Sequence, residues 1–336
     1  MKQRILRRLE AAAPSADTGA PVFASGRPRY EMAERVQATS HAGIAAVHQV
    51  ARQSGLVDDI DRGLHLLLLH RPYHESDHVL GIAYNAMCGG QTLDDIEMRR
   101  NDEAYLDALG ARAIPDPTTA GDFCRRFEAW QVDQLMDVIN AARLRVWGRQ
   151  GSSFTAGTAV IEADGVTVAT HGECKEGIAL SYNGVWGYHP LVVSLANTAE
   201  PLFIVNRGGN RPSHEGAARY LDKAVALCRA ASFDDILLRG DTDFSLTKEF
   251  DRWDDDGVRF VFGYDAKHNL VARAADEALL DEGYHELARR APDRWGIERC
   301  SRRRGLLRFR VNLLRGGLVT FEAQSKIGVQ SCLVRI

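Results

Sequence analysis

Long apolar stretches are missing from this 336-residue chain. None approaches the roughly 20 residues that a helix needs to cross a bilayer, so no membrane partner is expected. Cysteine is scarce. The six present (Cys88, Cys124, Cys174, Cys228, Cys300, Cys332) have neither CxxC pairing nor zinc-finger spacing, which sets aside a zinc site and points to reduced thiols in a cytoplasmic setting. A bulk excess of either charge is also lacking. The net charge is only −3, and it is the acidic body outside residues 299–336 that argues against broad nonspecific nucleic-acid binding, while leaving room for a local basic groove. The charge is nonetheless uneven: residues 299–336 hold nine Lys/Arg against one acid, Glu322, leaving 33 basic against 44 acidic residues elsewhere. The first 26 residues are basic without the apolar segment of a signal peptide, and residues 1–27 read as a disordered leader.

What remains is ordinary globular composition, 45% apolar and 26% charged, in a chain long enough for two domains. Residues 28–150 read as helical. Tyr30 to Gly55 has helical periodicity and ends at a glycine. Ser76 to Cys88 follows, with Ser76 as its cap and Gly89-Gly90 as its stop. DPTTAGDFCRRFEAW starts a helix at Pro117-Thr118, and Gln131 to Trp147 forms a longer one. So tight a pair is either a helix-turn-helix or an αα-hairpin in a bundle.

Near residue 150 the pattern changes. GRQGSS is a linker, and apolar strand runs take over at Val160–Ala163, Leu191–Leu195, Pro201–Val205, Ile236–Leu238 and Arg259–Gly263, with Val166–Ala169 as a continuation of the first. A helix capped by Ser213 runs to about Ala231, and a shorter one spans Leu246 to Trp253. The order β-β-β-α-β-α-β is that of a ribonuclease-H-like core. The fold class is therefore α/β, a mixed sheet flanked by helices and preceded by an all-α region.

Two aspartates sit where that order makes strands end together: Asp164 after the first strand and Asp241 after the fourth. Paired carboxylates suit hard divalent cations, and two-metal phosphodiester chemistry is built on them. Each has a plainer reading, since Asp164-Gly165 is a hairpin dipeptide and Gly240-Asp241 a strand-end turn. Asp243 is the alternative second ligand. The loop NRGGNRPSHE, with Arg207, Asn210 and Arg211 before a helix, suits phosphate or is a solvated surface loop. Arg125 and Arg126 mark the first helix of the tight pair as basic. His70, His74 and His78 have i, i+4 spacing, but Pro72 interrupts any helix that would align them. Tyr182, Trp186, Tyr188 and His189 read as core and strand-edge packing, with stacking on a displaced base as the lesser alternative.

The runs ECKEG, SYNGVWGYHPLVVSLANT, NRGGNRPSHEGAARYLDKA and LRGDTDFS, then DRWDDDGVRFVFG, resemble the DDE transposases of bacterial insertion sequences, more narrowly the group numbered 1380. HRPYHESDHVLGIAYNAMCGG and DPTTAGDFCRRF extend the resemblance back, so it covers about residues 30 to 270. It implies cleavage of DNA at terminal inverted repeats and joining of the 3′ ends to a target. Two Mg²⁺ ions, for which Mn²⁺ can substitute, would be held by Asp164 and Asp241. DNA is the implied partner, a homodimer the implied assembly, and the nucleoid the implied location. Arg207, Asn210, Arg211, Arg125 and Arg126 are the implied DNA contacts.

The resemblance also implies a third ligand, a glutamate on a later helix. Glu249, Glu277, Glu282, Glu286, Glu298 and Glu322 are candidates by type, and none has the expected context. The core is thus read as 155–285 and incomplete, with an arginine-heavy tail over 286–336 that suits a truncated, frameshifted end. Three functions follow: an active transposase, a DNA-binding remnant without catalysis, and a metal-dependent nuclease of the same fold.

Overall fold

The computed structural model describes residues 19–24, 38–70, 72–172, 175–265, 299–302, 305–314, 318–324 and 329–335. The chain divides into two compact units after Arg149.

The first unit is helical: α1 (Ile44–Gln53), α2 (Leu56–Gly63), α3 (Glu75–Met87), α4 (Ile96–Arg100), α5 (Glu103–Ala108), α6 (Pro117–Cys124) and α7 (Ala129–Trp147). Of the expected Tyr30–Gly55 helix, residues 38–43 are not helical and α1 covers Ile44–Gln53, while residues 25–37 lie outside the described ones. Ile60, Leu64, Leu80, Tyr84, Tyr105 and Leu109 form its core, each worth roughly 1.5–3 kcal/mol of burial. Ser76 is not the cap of α3. His74 takes that position, the Asp77 carboxylate accepts its N–H at 2.9 Å, and the N–H and hydroxyl of Ser76 go to Asp61 at 2.8 and 3.0 Å. Because α3 starts at Glu75, beyond Pro72, the three histidines do not share one helix.

The tight helix pair is α6, N-capped by Asp116, and α7. The long helix packs on α2. Gly63 makes the approach possible, since a Cβ there would lie 2.5 Å from Cγ2 of Val138. Arg145 then ties α7 to the α1–α2 corner through the carbonyl of Ser54 at 2.6 Å and an ion pair with Asp59.

The second unit contains α8 (Ser152–Thr155), β1 (Thr158–Gly165), β2 (Val168–Ala169), β3 (Ala179–Leu180), β4 (Trp186–Tyr188), β5 (Leu191–Leu195), β6 (Glu200–Val205), α9 (Ala217–Ala230), β7 (Asp235–Gly240), α10 (Phe250–Asp255) and β8 (Arg259–Asp265). The sheet runs β6-β5-β1-β7-β8, antiparallel across β6, β5 and β1 and parallel across β1, β7 and β8. This is the ribonuclease-H-like order. Ile161, Val193, Leu195 and Leu238 bury one face, and Leu221, Ala224 and Cys228 of α9 belong to the same core. Phe250 stacks on Phe260 with ring centroids 4.4 Å apart, and Asp222 of α9 takes the indole N–H of Trp253 at 2.8 Å.

Four expectations change here. Val166–Ala169 do not prolong β1; β2 pairs instead with β4, which also pairs with β3, in a separate three-stranded sheet. Its short strands carry exposed side chains, so no alternating burial marks them in the sequence. Helix α9 starts at Ala217 behind Gly216, whose φ is 73°, because Ser213 is engaged elsewhere. The expected Leu246–Trp253 helix is a 3₁₀ turn at Thr242–Phe244 followed by α10. Beyond residue 298, four strands, β9 (Arg299–Arg302), β10 (Gly305–Leu314), β11 (Leu318–Gln324) and β12 (Val329–Arg335), continue the sheet, with β12 parallel to β8. The period-two alternation of Phe309, Val311 and Leu313 with Arg308, Arg310 and Asn312 explains why an arginine-rich segment is extended. Among the described residues no helix is long and apolar enough to cross a membrane.

Candidate metal centre

Strand β1 alternates between buried Ala159, Ile161 and Ala163 and outward Thr158, Val160 and Glu162, which puts exposed Asp164 on the outward set. Its neighbour β7 is parallel and pairs Thr158 with Asp235 through Ala163 with Gly240. That register ends at Ala163 and Gly240, and Asp164 and Asp241 are the next residue of each segment. Laterally paired residues on parallel strands share a face, about 4.8 Å apart at the backbone. Two carboxylates so placed can share an oxygen-seeking cation.

Tight turns present both groups. The Asp164 carboxylate accepts its neighbour Gly165's N–H at 2.7 Å. Asp241 caps the 3₁₀ turn and accepts the N–H of Asp243 at 3.0 Å. That turn fits only because two glycines leave it space. A Cβ at Gly240 would lie 2.9 Å from Cβ of Phe244, and one at Gly263 of β8 would lie 2.6 Å from the amide nitrogen of Thr242. One pair back, Glu162 and Arg239 stand in register and form an ion pair, with Nε to Oε1 at 2.6 Å.

Asp243, the alternative second ligand, is turned away from this role. Its Oδ1 takes Nδ1 of His214 at 2.9 Å and its Oδ2 the N–H of His214 at 3.2 Å. Partial burial pushes its pKa up, but the hydrogen bonds from His214 and Ser213 outweigh burial and hold it below the usual carboxylate range. Among the described residues no three His, Cys, Asp or Glu side chains form a metal set. Of the glutamates considered for a third ligand, Glu249 is paired with Arg252 at 2.9 Å. The backbone of Glu322 stands opposite Arg310 and Ser331. Glu277, Glu282, Glu286 and Glu298 lie outside the described residues.

The expected DNA contacts divide. Arg211 and Asn210 are exposed, Arg211 pairing with Glu215 at 3.0 Å. Arg125 is exposed and paired with Asp122 at 2.5 Å, and Arg126 reaches the carbonyl of Leu66 at 3.4 Å. Arg207 is partly buried. Its guanidinium turns into its own loop, donating to the carbonyls of His189, Pro212, Ser213 and Glu215 at 2.8–3.2 Å, and burial lowers its pKa. A guanidinium so engaged is loop scaffold. Tyr182 and Trp186, expected in the core or at a strand edge, are 94% and 55% exposed, whereas His189 is 7% exposed.

A ribonuclease-H-like sheet with aspartates at the ends of its first and fourth strands defines the class. The profile described as Transposase DDE domain group 1 matches residues 34–296, most of the chain, and the chain belongs to this family. The match runs past residue 285, where the sequence resemblance was expected to stop. Among solved structures the chain is similar to a piggyBac transposase in a synaptic complex with hairpin DNA, at 11% identity and a TM-score of 0.36. That likeness covers 87% of this chain, which spans 60% of the length of the other. The search of curated proteins found no match.

Proposed function

We propose that this chain is a DNA transposase that cuts at the terminal inverted repeats of its element and joins the 3′ ends to a target. Asp164 and Asp241 would hold two Mg²⁺ or Mn²⁺ ions. The observation that supports the reading is the parallel β1–β7 pairing, which ends at Ala163 and Gly240, immediately before the two aspartates. The donor set fits hard cations, which take oxygen ligands. Bound there, the ions supply Lewis-acid activation of the attacking hydroxyl and stabilisation of the leaving oxygen in an in-line displacement.

The chain's own part is positional. Gly165, Gly240 and Gly263 leave space for the turns, the N–H groups of Gly165 and Asp243 orient the carboxylates, and Asn210, Arg211, Arg125 and Arg126 contact the DNA backbone. A homodimer would hold the two ends together at the nucleoid. The test is Mg²⁺-dependent cleavage of DNA carrying the element's ends, by the wild type and by Asp164→Ala. Cleavage lost in the variant with binding retained supports the proposal, and equal cleavage by both overturns it. A second reading, DNA binding without catalysis, draws on the want of a third acid beside the pair among the described residues. Binding without cleavage by the wild type would favour it.

A further inference from the structure

The two aspartates lie at the ends of different strands, Asp164 within β1 and Asp241 just past β7, and a line of side chains that no catalytic role claims runs between them. It starts at Gly165, beside Asp164. A Cβ there would overlap Nε2 of His189 and approach Oγ of Ser213 to 2.6 Å, so glycine lets both side chains close on the end of β1. His189 is buried, its Nδ1 3.3 Å from Oγ1 of Thr167 and its Nε2 3.1 Å from Oγ of Ser213. Ser213 adjoins His214 in the chain, and its hydroxyl helps to hold the Asp243 pKa down. His214 adds its N–H at 3.2 Å and its Nδ1 at 2.9 Å, and the N–H of Asp243 reaches Oδ1 of Asp241 at 3.0 Å. Arg207 fastens both ends of the line, holding the carbonyl of His189 at 3.1 Å and those of Pro212, Ser213 and Glu215 at 3.2, 3.0 and 2.8 Å.

We propose that His189, Ser213, His214 and Asp243 form a polar brace that fixes the separation of Asp164 and Asp241, which makes Ser213 and His214 positioning residues of the metal centre. The inference rests on the two-aspartate reading above. Its physical basis is that β1 and β7 stop hydrogen-bonding at Ala163 and Gly240. Beyond that pair β5 still pairs with Asp164 and Gly165, but no ladder bond joins the β1 end to the β7 end. The brace supplies the missing constraint from the loop ahead of α9, as hydrogen-bonded partners behind metal ligands do.

The test uses the full chain without metal first. Amide hydrogen exchange is followed in wild type, His214→Ala, Ser213→Ala and His214→Asn. The brace predicts about tenfold faster exchange in both alanine variants at residues 165–167 and at 241–244 together, with the middles of β1 and β7 unchanged. His214→Asn, whose amide can donate from near the position of Nδ1, restores protection. Acceleration confined to residues 213–217 in Ser213→Ala overturns the brace, even if His214→Ala unfolds the unit. Mn²⁺ titration of the same proteins and of Asp164→Ala then separates the two ideas. A 10–100-fold weaker affinity in the His214→Ala and Ser213→Ala variants supports the brace. Wild-type affinity in both overturns it, while loss in Asp164→Ala alone leaves the metal reading standing. Equal Mn²⁺ affinity in wild type and Asp164→Ala sinks the metal reading, and the exchange data then decide the brace by themselves.

Discussion

Both units bring acidic side chains close together, and they do so with opposite surroundings. In the helical unit Glu75 and Asp77 are 1% and 0% exposed. Glu75 accepts the N–H groups of Leu66 and Leu67 at 3.0 Å each and pairs with His70. Asp77 accepts those of Val22, Phe23 and His74. Burial pushes the Asp77 pKa up to about 6, against the pull of those three donors. In the α/β unit Asp164 and Asp241 are exposed at strand ends, where turn N–H groups orient them. The contrast is between carboxylates that serve structure and carboxylates proposed to hold an ion. Acids whose lone pairs face backbone donors in the interior hold chain segments together, whereas Asp164 and Asp241 are exposed, as the proposed role requires.

The sharpest way to break that contrast is to remove one acid from each unit. Asp164→Ala or Asp241→Ala should lower end cleavage by about 1000-fold or more, the scale of losing one electrostatic stabiliser. The Tm of either variant should stay near wild type. A large drop in Tm would place these aspartates in the structural class. Asp77→Ala should do the reverse, destabilising the helical unit by about 3 kcal/mol because several buried N–H groups lose their acceptor. Urea unfolding measures it, and an unchanged midpoint would contradict the assignment.

His78 offers a pH test of comparable size. It is buried against Phe123, with ring centroids 4.4 Å apart, and burial lowers its pKa to about 4. A depressed folded-state pKa means that the unfolded chain binds the proton more readily. The neutral ring's contribution is therefore complete above about pH 6.5 and lost as pH falls toward 4, at most about 3 kcal/mol. His78→Leu should flatten the stability profile over that window, and an unchanged slope would exclude His78 as its source.

Smaller effects sharpen the comparison further. Gly263→Ala should cost about 1–3 kcal/mol by pressing a Cβ on the Asp241 turn, and should weaken Mn²⁺ binding as well. Stability lost at full affinity would mean that the turn tolerates displacement. Arg211→Ala breaks an exposed ion pair and should change stability by no more than about 0.5 kcal/mol while weakening binding to DNA of any sequence. A filter-binding salt titration with an unchanged slope would remove Arg211 from the DNA contacts.

Much of the α/β unit was legible in the sequence. β5 falls at Leu191–Leu195 as its apolar run predicts, and β1 and β7 extend the predicted cores by one or two residues at each end. Such strands are half-buried or buried runs bounded by turn residues, a local signal. The brace was not legible, because Ser213 before a helical pattern satisfies the rule for a cap equally well. Its hydroxyl is diverted by His189 and Asp243, 24 and 30 positions away in the chain. Arg207 misled for the same reason, since an arginine in a glycine-rich loop reads as solvent-facing until the carbonyls that surround it are known.

Local sequence determined which residues end the strands and that Asp164 and Asp241 stand at those ends, because hydrophobic alternation and turn chemistry act over a few residues. Only the tertiary structure decided that these ends are neighbours, that Asp243 faces His214 instead of joining the pair, and that Arg207 clamps its loop. Those outcomes depend on the β1–β7 register and on contacts between distant segments, which no short stretch of sequence specifies.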